Sequence, residues 1–178
     1  MLRWVLHVFI SLGLGFGQSI LGQSAELSFP NRQKVALIGT SLRGWIEPGD
    51  SLDLKLDKSG EMPLNYGDFA IIAKGGNPKI PLLKMVVGLP GDSIGFCATD
   101  STCLTVNGAP VLGPHGKPIP LSAKRKRMVF LIVQRIKGRL PEGFYWVTGS
   151  VAGTHDSTLF GPVLRKQILG TACLSSRQ

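Results

Sequence analysis

From residue 35 onward the chain is a succession of short apolar runs separated by turn residues. They are SLDLKL at 51–56, DFAIIA at 68–73, PLLKMVVGL at 81–89, CLTVNGAPV at 103–111, RMVFLIV at 127–133, GFYWVTG at 143–149 and GPVLRKQILGTACL at 161–174. Runs of this length, bounded by Gly, Pro, Asn and Asp, predict strands. Leu52, Leu54 and Leu56 repeat with period two, as a half-buried strand requires. Val35–Ile38 predicts the first strand and ends in the turn Gly39-Thr40-Ser41. Asn107-Gly108 predicts a tight hairpin, and HGKP at 115–118 another turn. MVFLIV at 128–133 is far too short to cross a bilayer and predicts a strand. No amphipathic helix and no internal repeat is expected after the N-terminal segment, so the domain reads as mostly β.

The N-terminus follows a different pattern. Arg3 precedes a run from Trp4 to Leu21 that carries no formal charge but includes His7, Gln18 and several glycines. This is close to the shortest apolar stretch that spans a membrane, while Gly22 and Ser24 form a weak small-residue cleavage site. Residues 1–22 therefore predict an apolar helix that is either an anchor or an export signal. With its one early positive charge ahead of the apolar run, either option exports the rest of the chain. Residues 23–34, polar and interrupted by Pro30, predict a linker.

Charge narrows the partners. Twenty Lys and Arg against eleven Asp and Glu leave a formal charge of +9. No helix-turn-helix, zinc-finger or aromatic-interleaved basic pattern accompanies it, so no nucleic acid is expected. Residues 112–140 carry Lys117, Lys124, Arg125, Lys126, Arg127, Arg135, Lys137 and Arg139 and no acid. That is either a solvated edge that discourages aggregation or a patch for anionic lipid headgroups. Cys97 and Cys103, spaced C-x5-C, predict a small disulfide loop in an oxidising compartment, with two buried thiols as the other reading. No residue cluster suggests a metal or cofactor, and Cys173 is assigned no role.

One residue conflicts with the pattern around it. Lys84 lies among Leu82, Leu83, Met85, Val86 and Val87. It could be an edge-strand charge, reach to water, pair with a buried acid, or lie on a strand less buried than it looks. Alternatively burial is its purpose. An ammonium stripped of water loses protons more readily, and a lysine brought toward neutrality becomes a general base. Ser41, in the glycine-led turn of ALIGTSLRGW, is the candidate nucleophile for such a base. Among the histidines, only His155 beside Asp156 suggests a different catalytic arrangement.

Four segments in one order, GTSLRG, GDFAIIA, LLKMVVGLPGD and GTHDSTLFGPV, resemble the type I signal peptidase family of membrane-anchored Ser-Lys endopeptidases. PLLKMV, GKPIPL and FYWV followed by DSTLFGPV look closest to its TraF-type conjugative-transfer members, which mature pilin. The resemblance covers residues 35–172. It implies a signal-peptidase-like β-barrel or sheet core with a small inserted β lobe at about 98–142, and leaves 173–178 as a tail. It makes Ser41 the nucleophile, Lys84 the general base and Asp156 a support of the site. Thr154 would orient the amine, with Ser157 its neighbour, and backbone N–H groups by Gly39, Thr40 and Ser41 would hold the oxyanion.

The chain departs from the family pattern in several places. Gly39 stands where many members carry a hydroxyl, Leu42 replaces a methionine and Gly44 a proline. GSVA from Gly149 replaces GDNR, and Thr158 replaces an arginine that pairs with the aspartate.

The expected function is cleavage of an exported substrate, a conjugative pilin precursor, with circularisation as a second outcome. The alternatives are a general signal peptidase, a self-cleaving regulator related to Ser-Lys repressor proteases, and an envelope assembly protein that kept the fold without the chemistry. Expected partners are a pilin-like or signal-bearing polypeptide, membrane lipids and conjugation machinery. The expected location is the bacterial inner membrane with the catalytic domain in the periplasm, or the periplasm itself if the N-terminal segment is removed.

Overall fold

The computed structural model describes residues 32–73, 75, 77–78, 81–98 and 102–175. The expected N-terminal helix lies outside them. Two antiparallel sheets dominate the described chain. The larger has the strand order β1-β2-β10-β3-β4-β8-β9, built from β1 (Arg32–Ala36), β2 (Ser51–Leu56), β3 (Phe69–Ala73), β4 (Pro81–Gly88), β8 (Phe144–Thr148), β9 (Val163–Leu164) and β10 (Ile168–Leu174). The smaller joins β5 (Ile94–Phe96), β6 (Leu104–Val106) and β7 (Ala109–Pro110). It lies in sequence between β4 and β8, together with helix α1 (Ala123–Arg135). A one-turn helix α2 (Ser157–Phe160) follows β8.

The alternating leucines and the apolar runs go where their periodicity predicts. Leu42, Ile46, Leu52, Ile71 and Leu83 bury one face of the large sheet, while Ala70, Leu82, Val86 and Val147 pack in a second cluster. Asn107 and Gly108, both with positive φ, turn β6 into β7 as the Asn-Gly pair requires. Asp92, at the end of GLPGD, ties the small sheet to the end of β4. Its carboxylate accepts from Leu89 N at 2.6 Å, Asn107 Nδ2 at 2.7 Å and the Tyr66 hydroxyl at 2.8 Å.

Three expectations are corrected. Strand β1 begins at Arg32, inside the expected linker, and stops at Ala36 rather than Ile38. As an edge strand it needs only its backbone ladder to β2, which an apolar pattern does not report. Strand β10 runs to Leu174, two residues into the expected tail.

The third correction is larger: MVFLIV is not a strand but the second half of α1, so the inserted segment is not wholly β. The Ser122 side chain caps the helix by accepting from Arg125 N at 3.3 Å, and AKRKR supplies strong helix formers for the first turns. With that flank included, the spacing becomes helical: Val129, Ile132, Val133 and Ile136 face the core of the smaller sheet. Phe130 and Leu131 are instead 51% and 52% exposed.

This placement distinguishes neighbouring residues that an apolar string makes look alike. Val129→Ala should cost about 2 kcal/mol in urea unfolding, and Phe130→Ala less than about 0.5 kcal/mol. A strand would place Phe130 and Ile132 on one face, so equal losses at those two positions would contradict the helix.

Candidate active site

Ser41 stands where the chain leaves β1 and enters a helical turn. Gly39 there adopts a φ of 125°, which suits glycine. The turn is closed by Arg43 N donating to Thr40 O and Ile46 N to Leu42 O, and is held down by buried Leu42 and Ile46. From the other side, Ser150 N donates to Ser41 O at 2.8 Å and the Ser150 hydroxyl to Arg43 O at 2.7 Å. Gly149 permits this approach, because a Cβ there would lie 2.5 Å from both Ser41 O and Thr154 Oγ1. The GSVA stretch thus grips the serine turn by backbone and hydroxyl rather than by an acidic side chain. Among the described residues, no intramolecular acceptor engages the backbone N–H of Thr40, Ser41 or Leu42. An oxyanion hole needs such free donors.

Lys84 reaches this turn from β4, where it pairs with Ala70 of β3. Its Nζ lies 2.6 Å from Ser41 Oγ. The residue is only 1% exposed, which rules out both an exposed edge charge and an amine that reaches to water. Among the described residues no carboxylate forms an ion pair with it. Loss of hydration pulls its pKa from 10.5 down to about 8, and the nearby charge of Asp156 offsets part of that shift.

Asp156 caps α2 and accepts four hydrogen bonds. Thr158 N and the Thr158 hydroxyl donate to Oδ1 at 3.0 and 2.6 Å; Gly149 N and the Thr154 hydroxyl donate to Oδ2 at 3.2 and 2.6 Å. Thr154 therefore serves the carboxylate, and its expected bond to the amine is not formed. Ser157 is fully buried and accepts from Val147 N at 2.9 Å, which locks α2 to β8. Arg125, missed by sequence reasoning, also belongs here: its Nη1 lies 3.8 Å from Asp156 Oδ1, and Nη2 donates to Gly153 O at 2.9 Å. Only the vacancy at Thr158, where a guanidinium is usual, hinted that another arginine was needed.

Between the chain leaving β1 and the start of β4 runs an apolar groove of about 60 Å³, open to solvent and lined among others by Val35, Leu37, Ile38, Ile71, Leu82 and Leu83. Among the described residues, the strand next to it is half free. Residues Pro81–Lys84 pair with β3 on one side, but pairing with β8 starts only at Met85. Cys97 and Cys103 are joined as a disulfide below the tip of the small sheet, and Cys173 is free and exposed. No group of His, Cys, Asp or Glu among the described residues could hold a metal ion.

A hydroxyl against a dehydrated amine, with free N–H donors at the same turn, is the equipment of a serine hydrolase. The family model for signal peptidase, peptidase S26, matches residues 3–176, and the chain belongs to that family of serine peptidases, which process exported proteins. No curated protein matches the chain. Among solved structures, a signal peptidase I from Enterococcus faecalis is 16% identical and covers 62% of this chain and 97% of its own, with a TM-score of 0.39.

Burial of Lys84 has a consequence for stability. Its pKa is lower in the folded chain than in the unfolded one, so the unfolded state holds more protons between about 8 and 10.5, and stability rises with pH across that window. Below pH 8 the folded protein carries a penalty of roughly 3 kcal/mol. Lys84→Met should therefore be more stable than the parent in urea at pH 6, with the advantage shrinking by pH 10.5. An advantage independent of pH would show that Lys84 is not a strained cation.

Proposed function

We propose that the chain is a membrane-associated endopeptidase in which Ser41 is the nucleophile and Lys84 the general base. The observation that carries this reading is the 2.6 Å contact between Ser41 Oγ and a lysine amine held 1% exposed. In the neutral state, Nζ takes the hydroxyl proton while Oγ bonds to the scissile carbonyl carbon. The N–H groups at Thr40, Ser41 and Leu42 stabilise the oxyanion by several kcal/mol. The C–N bond then breaks, the leaving amine takes the proton from Lys84, and an ester to Ser41 remains. Water, deprotonated by the same amine, releases the acyl product. Attack by the substrate's own N-terminus would instead release a circle.

The substrate lies extended along the unpaired side of Pro81–Lys84, where main-chain hydrogen bonds give affinity. Aliphatic or small side chains enter the neighbouring groove. Asp156 supports the geometry of the loop that grips Ser41. The proposed substrate is a conjugative pilin precursor, on the strength of the TraF-like segments PLLKMV, GKPIPL and DSTLFGPV. The proposed location is the bacterial inner membrane, facing the periplasm beside conjugation machinery; the apolar N-terminal run and the disulfide support the membrane and the oxidising compartment. The outer face of α1 fits an anionic lipid surface: Phe130 and Leu131 stand exposed among Lys124, Arg127 and Arg135.

The test is mass spectrometry of a co-expressed candidate pilin. Ser41→Ala and Lys84→Ala should each lower processing by about 10³-fold or more without loss of the fold. The parent's rate should rise with pH to a plateau, with its midpoint near 8. Near-normal processing by Lys84→Ala would overturn the dyad. Accumulation of many exported precursors on depletion would favour a general signal peptidase, and an inert Ser41 would favour a non-catalytic assembly protein.

A further inference from the structure

Helix α1 belongs to the inserted segment, yet one of its side chains reaches into the site. Arg125 is 12% exposed at its side chain and Asp156 5%. Its guanidinium makes three contacts there. Nη1 donates to Thr158 Oγ1 at 3.2 Å and lies 3.8 Å from Asp156 Oδ1, while Nη2 donates to Gly153 O at 2.9 Å. Arg125 thus holds both ends of the segment that contains Thr154 and Asp156. Cation and carboxylate meet where water screens them little, so each strongly affects the potential felt by its neighbours.

The groups around the lysine make that potential matter. Lys84 faces the Ser41 hydroxyl from the β1 turn and Asp156 from the start of α2. Its partner on β3, Ala70, carries no charge, and neither does Thr148 of β8, which pairs with the adjacent Met85. Asp156 in turn faces Arg125 from α1, the hydroxyls of Thr154 and Thr158, and the N–H of Gly149. His155 is exposed on the same loop. An unopposed carboxylate beside Lys84 would favour the ammonium form, which cannot act as a base.

We propose that Arg125 is a positioning residue for the reaction: by opposing the charge of Asp156, it sets how much of Lys84 is the free base able to activate Ser41. The inference rests on the Ser41-Lys84 reading, and it assigns the inserted helix a direct electrostatic part in catalysis. Asp156 can then organise its four donors without holding the base in its inactive form.

The experiment follows acylation of Ser41 by p-nitrophenyl acetate in the full chain against pH, with the adduct located by mass spectrometry. The parent midpoint near 8 tests the dyad by itself. Displacement of that midpoint in the Arg125 variants tests the present inference alone. Arg125→Gln and Arg125→Met, which both remove the charge, should raise the midpoint by about 0.5–1 pH unit. Acylation at pH 7 should fall by about 3–10-fold, with little loss at pH 10. Arg125→Lys should restore the midpoint while lowering the plateau, since an ammonium cannot repeat the fork to Gly153 and Thr158. Asp156→Asn combined with Arg125→Gln should also bring the midpoint back down. A pH-independent loss, an unchanged profile, or failure of both charge-removing variants to fold would make Arg125 a structural brace and overturn the proposal.

Discussion

The structure depends on one unfavourable placement, a lysine 1% exposed on a strand of buried apolar residues, with the Ser41 hydroxyl against its amine. Desolvation penalises the charged form by several kcal/mol, and the fold must absorb that penalty from packing elsewhere. The large sheet supplies it: β4 lies between β3 and β8, and Leu82, Leu83 and Val86 are buried on either side of the charge. A position where Lys84 can shed its proton near neutral pH is therefore also one where it weakens the protein.

The same constraint explains the loops. A base is useful only within hydrogen-bonding reach of its hydroxyl, so the Ser41 turn must be fixed against β4. Buried Leu42 and Ile46 fix it from below, and Ser150 and Gly149 from above. Gly149 is held in turn by Asp156, which accepts from its N–H and from the Thr154 hydroxyl. The carboxylate therefore organises the site while opposing the neutrality the site needs. This conflict gives a cation from α1 a place in the arrangement.

Much of this was legible in the sequence because the relevant signals are local. Period-two leucines, the Asn-Gly turn and a charge inside an apolar run follow from properties of neighbouring residues. The elements that were not legible depend on longer context or on contacts in space. Six apolar residues fit a buried helix as well as a strand, and only Ser122 and the basic residues after it select α1. Read as a charge run, Arg125 looked like one more surface cation; its contacts are with residues on a distant loop. The polar start of β1 is hidden because edge pairing uses the backbone. Thr154 lies within two residues of its acceptor, yet the sequence could not distinguish an amine from a carboxylate as that acceptor.

The protonation of the Lys84 nitrogen can be observed without any substrate. Selective isotope labelling of lysine side chains, with Lys84 assigned through Lys84→Met, gives its titration directly by NMR. A midpoint near 8, well separated from the surface lysines, is the result this account predicts. A midpoint above 10, together with the surface lysines, would mean that the amine keeps its water and cannot serve Ser41 as a base.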